Sequence, residues 1–86
     1  MIYTLNVKSR ILKHTEMGIN IYSKIPKTMV QVLGYLSGGY PVSTKDFKYH
    51  SKAWLSGNVR RLRDLGLDIT NNWKIGYKLN DIIEIE

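Results

Sequence analysis

The chain has 86 residues, 43% of them hydrophobic, and is short enough that only about 60% of its unfolded surface can leave water on folding, so one domain with one core and no deep cleft is expected. It lacks cysteine, which excludes disulfides, thiolate metal ligands and a cysteine nucleophile. Thirteen Lys and Arg against seven Asp and Glu leave a formal charge of +6, and an acidic partner such as nucleic acid has to be weighed against a merely solubilising surface.

Tyr3, Leu5 and Val7 alternate with Thr4, Asn6 and Lys8, the period of two that marks a strand with one buried face. Alternation resumes over Ile19, Ile21 and Ser23, and Ile11-Leu12 offers a strand between, so residues 1–25 read as a small antiparallel sheet. At Pro26 the period changes. Met29, Val32 or Leu33, and Leu36 recur at helical spacing over 26–37, with proline in the first turn and Gly38-Gly39 as the stop. Ser43-Thr44-Lys45-Asp46 has the form of a capping box, with Val42 and Phe47 spaced as a hydrophobic staple, and predicts a short second helix reaching about Tyr49. His50-Ser51-Lys52 reads as a turn and a second cap, opening a third helix at about 52–65. Its Leu55, Val59 and Leu62 fall within about 40° of one another and face inward. Leu67, Ile69, Ile75, Tyr77 and Leu79 alternate about Asn71-Asn72-Trp73, which predicts a hairpin with Asn-Asn as its turn. Ile82, Ile83 and Ile85 add a short last strand in an acidic tail.

The charges are not spread evenly. Residues 1–30 carry +4, residues 31–42 carry none, residues 43–65 carry +4 and residues 66–86 carry −2. The cationic middle thus coincides with the predicted second and third helices.

Strands, a helix, two helices joined by a tight turn and then a hairpin form the order of a winged helix-turn-helix. Val59-Arg60-Arg61-Leu62-Arg63, then Leu67-Asp68-Ile69-Thr70 and Gly76-Tyr77-Lys78-Leu79, resemble the end of an OmpR/PhoB-type effector domain. Ile25-Pro26-Lys27, the apolar positions Met29, Leu33 and Leu36, and Pro41-Val42-Ser43 are similar to the same family's first helix and the approach to its second, so the resemblance covers nearly the whole chain. Leu62-Arg63-Asp64-Leu65-Gly66-Leu67-Asp68 also resembles the ending of the biotin-repressor type of winged helix. The resemblance implies an α+β fold: an N-terminal sheet (1–25), a three-helix core (26–66) and a C-terminal wing hairpin with its tail (67–86). Three features depart from the OmpR/PhoB pattern. Only His50-Ser51-Lys52 fills the connection that in the family is long and contacts RNA polymerase. Asn72-Trp73-Lys74 replaces the wing's Arg-Gly pair, and the 86 residues include no receiver domain and so no expected phosphorylation site.

Opposite the buried stripe of the third helix lie Ala53, Gly57, Arg60 and Asp64, flanked by Ser56 and Arg61. Small residues at Ala53 and Gly57 permit close approach to a groove floor, although glycine costs about 1 kcal/mol against alanine in a helix interior. Arg60 and Arg61 suit guanine O6 and N7 or a phosphate. Lys52, Ala53, Ser56, Gly57, Arg60 and Arg61 are therefore the expected recognition surface, while Asp64 keeps the last turn out of the groove. Lys45 and Lys48, with Asn72, Trp73 and Lys74 at the hairpin tip, are the expected phosphate or wing contacts. Trp73 either meets the minor-groove edge or folds back over the core. Trp54 sits at the boundary and is expected to pack on the N-terminal sheet.

His14 and His50 lie far apart without an acidic cluster, Ser43 is explained by capping, and Gly38-Gly39 lacks the Lys and Ser/Thr of a phosphate loop. No enzyme activity, metal or cofactor is expected. The first eight residues lack the form of a signal peptide and no stretch approaches the roughly 18 apolar residues of a membrane span, so a cytoplasmic protein without a membrane partner is expected. The expected function is sequence-specific binding of double-stranded DNA by a small transcriptional regulator of plasmid, phage or accessory type. Its modest size favours a homodimer, for which the tail supplies an edge strand. The rival is a protein-interaction module that sets the same basic face on RNA polymerase or another acidic protein surface.

Overall fold

Alternating burial over Ile2–Asn6 makes the first strand, β1, which sends Tyr3 and Leu5 into the core. The computed structural model describes residues 1–72 and 74–86. Strand β2 (Ile11–Glu16) pairs antiparallel with β1, setting Leu5 opposite Leu12 and Tyr3 opposite His14. A two-residue reversal at Met17-Gly18, with φ of 51° and 79°, leads into β3 (Ile19–Lys24). Both positive angles match the twist of a tight hairpin, and glycine takes its share of them without strain.

Helix α1 (Lys27–Leu36) buries Met29, Val32, Leu33 and Leu36. Pro26 stands just before it as the N-cap, with φ −64° and ψ 156°, rather than inside the first turn. Helix α2 (Lys52–Asp64) starts at Ser51, whose hydroxyl accepts the Trp54 amide at 3.1 Å, and buries Leu55, Asn58, Val59 and Leu62. The hairpin β4 (Ile69–Asn72) and β5 (Gly76–Leu79) follows, and the chain returns to the first sheet as β6 (Ile82–Ile85), parallel to β1. The result is α+β: a mixed four-stranded sheet ordered β3-β2-β1-β6, a separate two-stranded sheet, and two helices among the described residues.

Three further expectations need correction. The three-helix winged helix-turn-helix is not found, because the second helix is a single 3-10 turn, Thr44–Asp46. The capping box itself forms: Asp46 accepts the Ser43 amide at 2.9 Å and Ser43 Oγ accepts the Lys45 amide at 3.3 Å. Phe47 then leaves the helical region at φ −123° and ψ 76°. It is the only large apolar side chain between Val42 and Trp54 that is buried, so a longer helix would have had no second residue to hold its inner face.

The N-terminal sheet is not purely antiparallel, since β6 joins it in parallel; the acidic tail is thereby a strand of the main sheet and not an appendage of the hairpin. Asn71 and Asn72 are the last residues of β4, with Asn72 in register with Gly76, so the asparagine pair is not the turn. Trp54 packs against the core, meeting Phe47 at 5.1 Å between ring centroids and stacking on His50 at 3.8 Å.

One core joins both helices, the hairpin and the β1–β2 part of the sheet. Tyr3, Leu5 and Leu12 of the sheet share it with the buried faces of α1 and α2 and with Leu67, Ile69 and Leu79. His14 is buried as well, its ring 4.8 Å from that of Tyr3 and its Nε2 3.3 Å from Glu16 Oε1. Burial, reinforced by the Asp81 and Glu16 carboxylates, raises the Tyr3 phenol above the usual tyrosine value.

Candidate nucleic-acid interface

The hairpin is held against the helices at two points. Val42 and Tyr77 exchange backbone hydrogen bonds, each 2.7 Å, which adds the residue before the capping box to the outer side of β5. Arg63, in the last turn of α2, donates from Nε at 2.9 Å and from Nη2 at 2.7 Å to the Ile69 carbonyl, and its guanidinium lies 5.9 Å from the Tyr77 ring centre. Arg63 therefore fastens α2 to the hairpin. Its charge belongs to the same Arg-rich run as Arg60 and Arg61, and sequence alone does not separate the structural arginine from its neighbours.

These two fastenings leave a groove of about 550 Å³ between the 3-10 turn, the start of α2 and the hairpin. Lys45, Lys52, Asn72 and Lys74 all line it, so four of the expected contacts from three separate elements come together. Thr44 and Asn71 line it too and are additions that their sequence positions do not single out. Lys48 is not part of this groove; its Nζ lies 5.9 Å from the Tyr49 ring centre. Trp73 lies outside the described residues, so neither expectation for it is decided.

Beside the groove runs the outward face of α2. Ala53, Ser56, Arg60 and Arg61 are exposed, and Gly57 is half-buried. At 100° per residue Ser56 and Arg60 lie toward the groove side, Ala53 and Gly57 near the crest, and Arg61 on the far flank. Arg60, Arg61, Lys45 and Lys74 make no ion pair with any described residue. The first turn of α2 contains no acid, so its exposed amide end and Lys52 add to the same positive field. Asp64 is exposed at the other end of the helix and limits that field to the first three turns.

On the inner side Asn58 is only 2% exposed; its Nδ2 donates to the Trp54 carbonyl at 2.9 Å, while its buried Oδ1 has no hydrogen-bond partner among the described residues. The amide thus extends the buried stripe of α2 and is not available to a ligand on the outer face.

Gly57 tests whether the helix crest is shaped for close approach. A Cβ placed there meets nothing within 4 Å. Gly57→Ala is expected to stabilise the free protein by about 1 kcal/mol, or about 4–8 °C in melting temperature. The same variant is expected to bind duplex DNA more weakly than the wild type, because the new methyl group occupies space at the crest. Melting curves and a DNA titration on one preparation check both; a gain in stability with unchanged DNA affinity would remove the crest from the interface.

Among the described residues there is no group of three or more His, Asp or Glu side chains placed to hold a metal ion, and no helix long and apolar enough to cross a membrane. Compared with protein-family models, curated proteins and solved structures, the chain matches none.

Proposed function

We propose that the chain binds double-stranded DNA, with the first three turns of α2 in the major groove and the 3-10 turn and β4–β5 hairpin on the flanking phosphates. The observation that carries this reading is the convergence of Lys45, Lys52 and Lys74, from the 3-10 turn, the start of α2 and the sequence-distant hairpin, on one groove beside the exposed Arg60 and Arg61. A solubilising surface needs cations dispersed over the molecule; a phosphate backbone needs them aligned. An α-helix flanked by a hairpin also has the dimensions of the major groove and its edge. The resemblance of residues 59–79 to the end of OmpR/PhoB-type effector domains supports the same assignment of roles, and a role as a small transcriptional regulator follows from it.

The test is a fluorescence-anisotropy titration of labelled duplex at several salt concentrations. With about four to six phosphates neutralised, log affinity is expected to fall against log salt with a slope of about −4 to −5. A folded protein that binds no duplex at low salt would end this reading, and a protein partner such as RNA polymerase would then be sought for the basic face.

A further inference from the structure

The four-stranded sheet ends in two open edges, β3 on one side and β6 on the other, and the hydrogen bonds within the chain fix which amides each edge presents. In β6 the Ile82 amide donates to the Met1 carbonyl at 3.1 Å and the Glu86 amide to the Leu5 carbonyl at 2.8 Å. Because peptide groups alternate sides along a strand, Ile83 and Ile85 direct theirs away from β1, to the open edge. In β3 the Ile25 amide donates to the Arg10 carbonyl at 2.9 Å, so by the same alternation Asn20, Tyr22 and Lys24 present theirs to the other open edge.

β3 and β6 both run parallel to β1, since β1–β2 and β2–β3 are antiparallel and β1–β6 is parallel. From these phases we infer that the chain associates head to tail, with β6 of one copy adding in parallel to β3 of the next.

In the register that continues the rows of the existing sheet, Ile83 aligns with Ile21 and Ile85 with Ser23. The Ile83 and Ile85 amides then donate to the Asn20 and Tyr22 carbonyls, and the Tyr22 and Lys24 amides donate back to Ile83 and Ile85. Apolar side chains meet on the inner face, where Ile85 is 50% exposed and, with Val7, Val30 and Tyr35, lines an apolar groove of about 420 Å³ beneath the β6 edge. On the outer face Lys24 comes beside Glu86, and Tyr22, 62% exposed, beside Glu84.

Charge selects this partner over self-pairing of either edge. Two β6 strands brought together would gather Glu84 and Glu86 from both copies, Asp81 being held by the Met1 amino group at 3.2 Å, whereas the β3 edge offers Lys24 followed by Lys27. Like charges across a strand pair oppose pairing and unlike charges favour it. Such an interface joins two different surfaces, so association does not close at a dimer.

The inference is independent of DNA and is tested without it, by sedimentation velocity of the full chain at low salt. The average mass is expected to rise with concentration beyond two copies; a monomer up to about 1 mM, or a plateau at the dimer, would overturn it. Tyr22→Pro and Ile85→Pro each remove an open-edge amide not used within the chain, which proline tolerates on an edge strand. Each alone is expected to lose chain growth, and an equimolar mixture to form a dimer and nothing larger, one variant contributing β6 and the other β3. Continued growth by either variant alone, or a mixture of two folded variants that stays monomeric, would refute the pairing. If far-UV circular dichroism shows that either proline variant has not folded, charge reversal decides. Lys24→Glu or Glu86→Lys alone is expected to weaken association about fivefold, and the two together to restore it to within about twofold. Failure of the double variant to recover would equally refute the pairing.

Discussion

Replacing Arg60 and Arg61 together by alanine is expected to lower affinity for duplex DNA by about 30- to 1,000-fold, the equivalent of about 2–4 kcal/mol for two arginine contacts. Both side chains are exposed and neither forms an ion pair among the described residues, so the fold should not change; the buried side of α2 is built from Leu55, Asn58, Val59 and Leu62. The salt dependence separates the two chemistries open to these residues. If they neutralise phosphates, the slope of log affinity against log salt should fall by about 2 units, one for each arginine, and all sequences should be weakened alike. If they read guanine edges, discrimination between sequences should collapse while the slope changes less. Arg63→Ala provides the contrast, because Arg63 is engaged with the Ile69 carbonyl and Tyr77, and its loss should register first in thermal stability. An Arg60/Arg61 variant that binds as tightly as the wild type would remove α2 from the interface.

Gly76→Ala is expected to be the most damaging conservative substitution in the chain. Gly76 has φ of +109°, a conformation that side chains rarely adopt, and a Cβ there would collide with the Val42 carbonyl oxygen and lie 2.8 Å from the Val42 carbonyl carbon. Relief requires β5 to move away from Val42, which breaks the two hydrogen bonds between Val42 and Tyr77. Strain and the lost bonds together are expected to cost about 2–4 kcal/mol, a fall of more than about 10 °C in melting temperature for a domain of this size. Hydrogen exchange at the Tyr77 amide should accelerate more than exchange at amides of the main sheet, since the damage is local to the hairpin. A variant within about 0.5 kcal/mol of the wild type would show that the Val42–Tyr77 bridge does not hold the hairpin. The same variant should bind DNA less well, because Lys74 and Lys45 lie on opposite sides of that bridge and line one groove only while it is closed.

What can be read in the sequence follows the range of the forces involved. The extent of α2 is legible because its determinants are local: Ser51 as cap, Leu55, Val59 and Leu62 at helical spacing, and Gly66 after the last turn with φ of +103°. The first strand is legible for the same reason, since side-chain alternation is a property of neighbouring residues. The basic character of the α2 face also follows directly from residue order, because a helix maps sequence spacing onto surface angle.

The capping box at Ser43 shows where local reading stops. Its hydrogen bonds form as the motif requires, but capping starts a helix without setting its length, and Phe47 gains more by packing near Tyr35 and Trp54 than by continuing the turn. The place of β6 is beyond local reading altogether. Three isoleucines in an acidic tail specify an extended segment, but parallel addition depends on the edge of β1 that β2 leaves open, about 80 residues earlier. For the candidate interface the division is the same. The sequence by itself determined which residues are cationic and that Arg60 and Arg61 face away from the core. Only the tertiary structure decided that Lys45, Lys52 and Lys74 share one groove, and that Arg63 is a fastening, because both facts rest on contacts between segments whose separation along the chain is no measure of their distance in space.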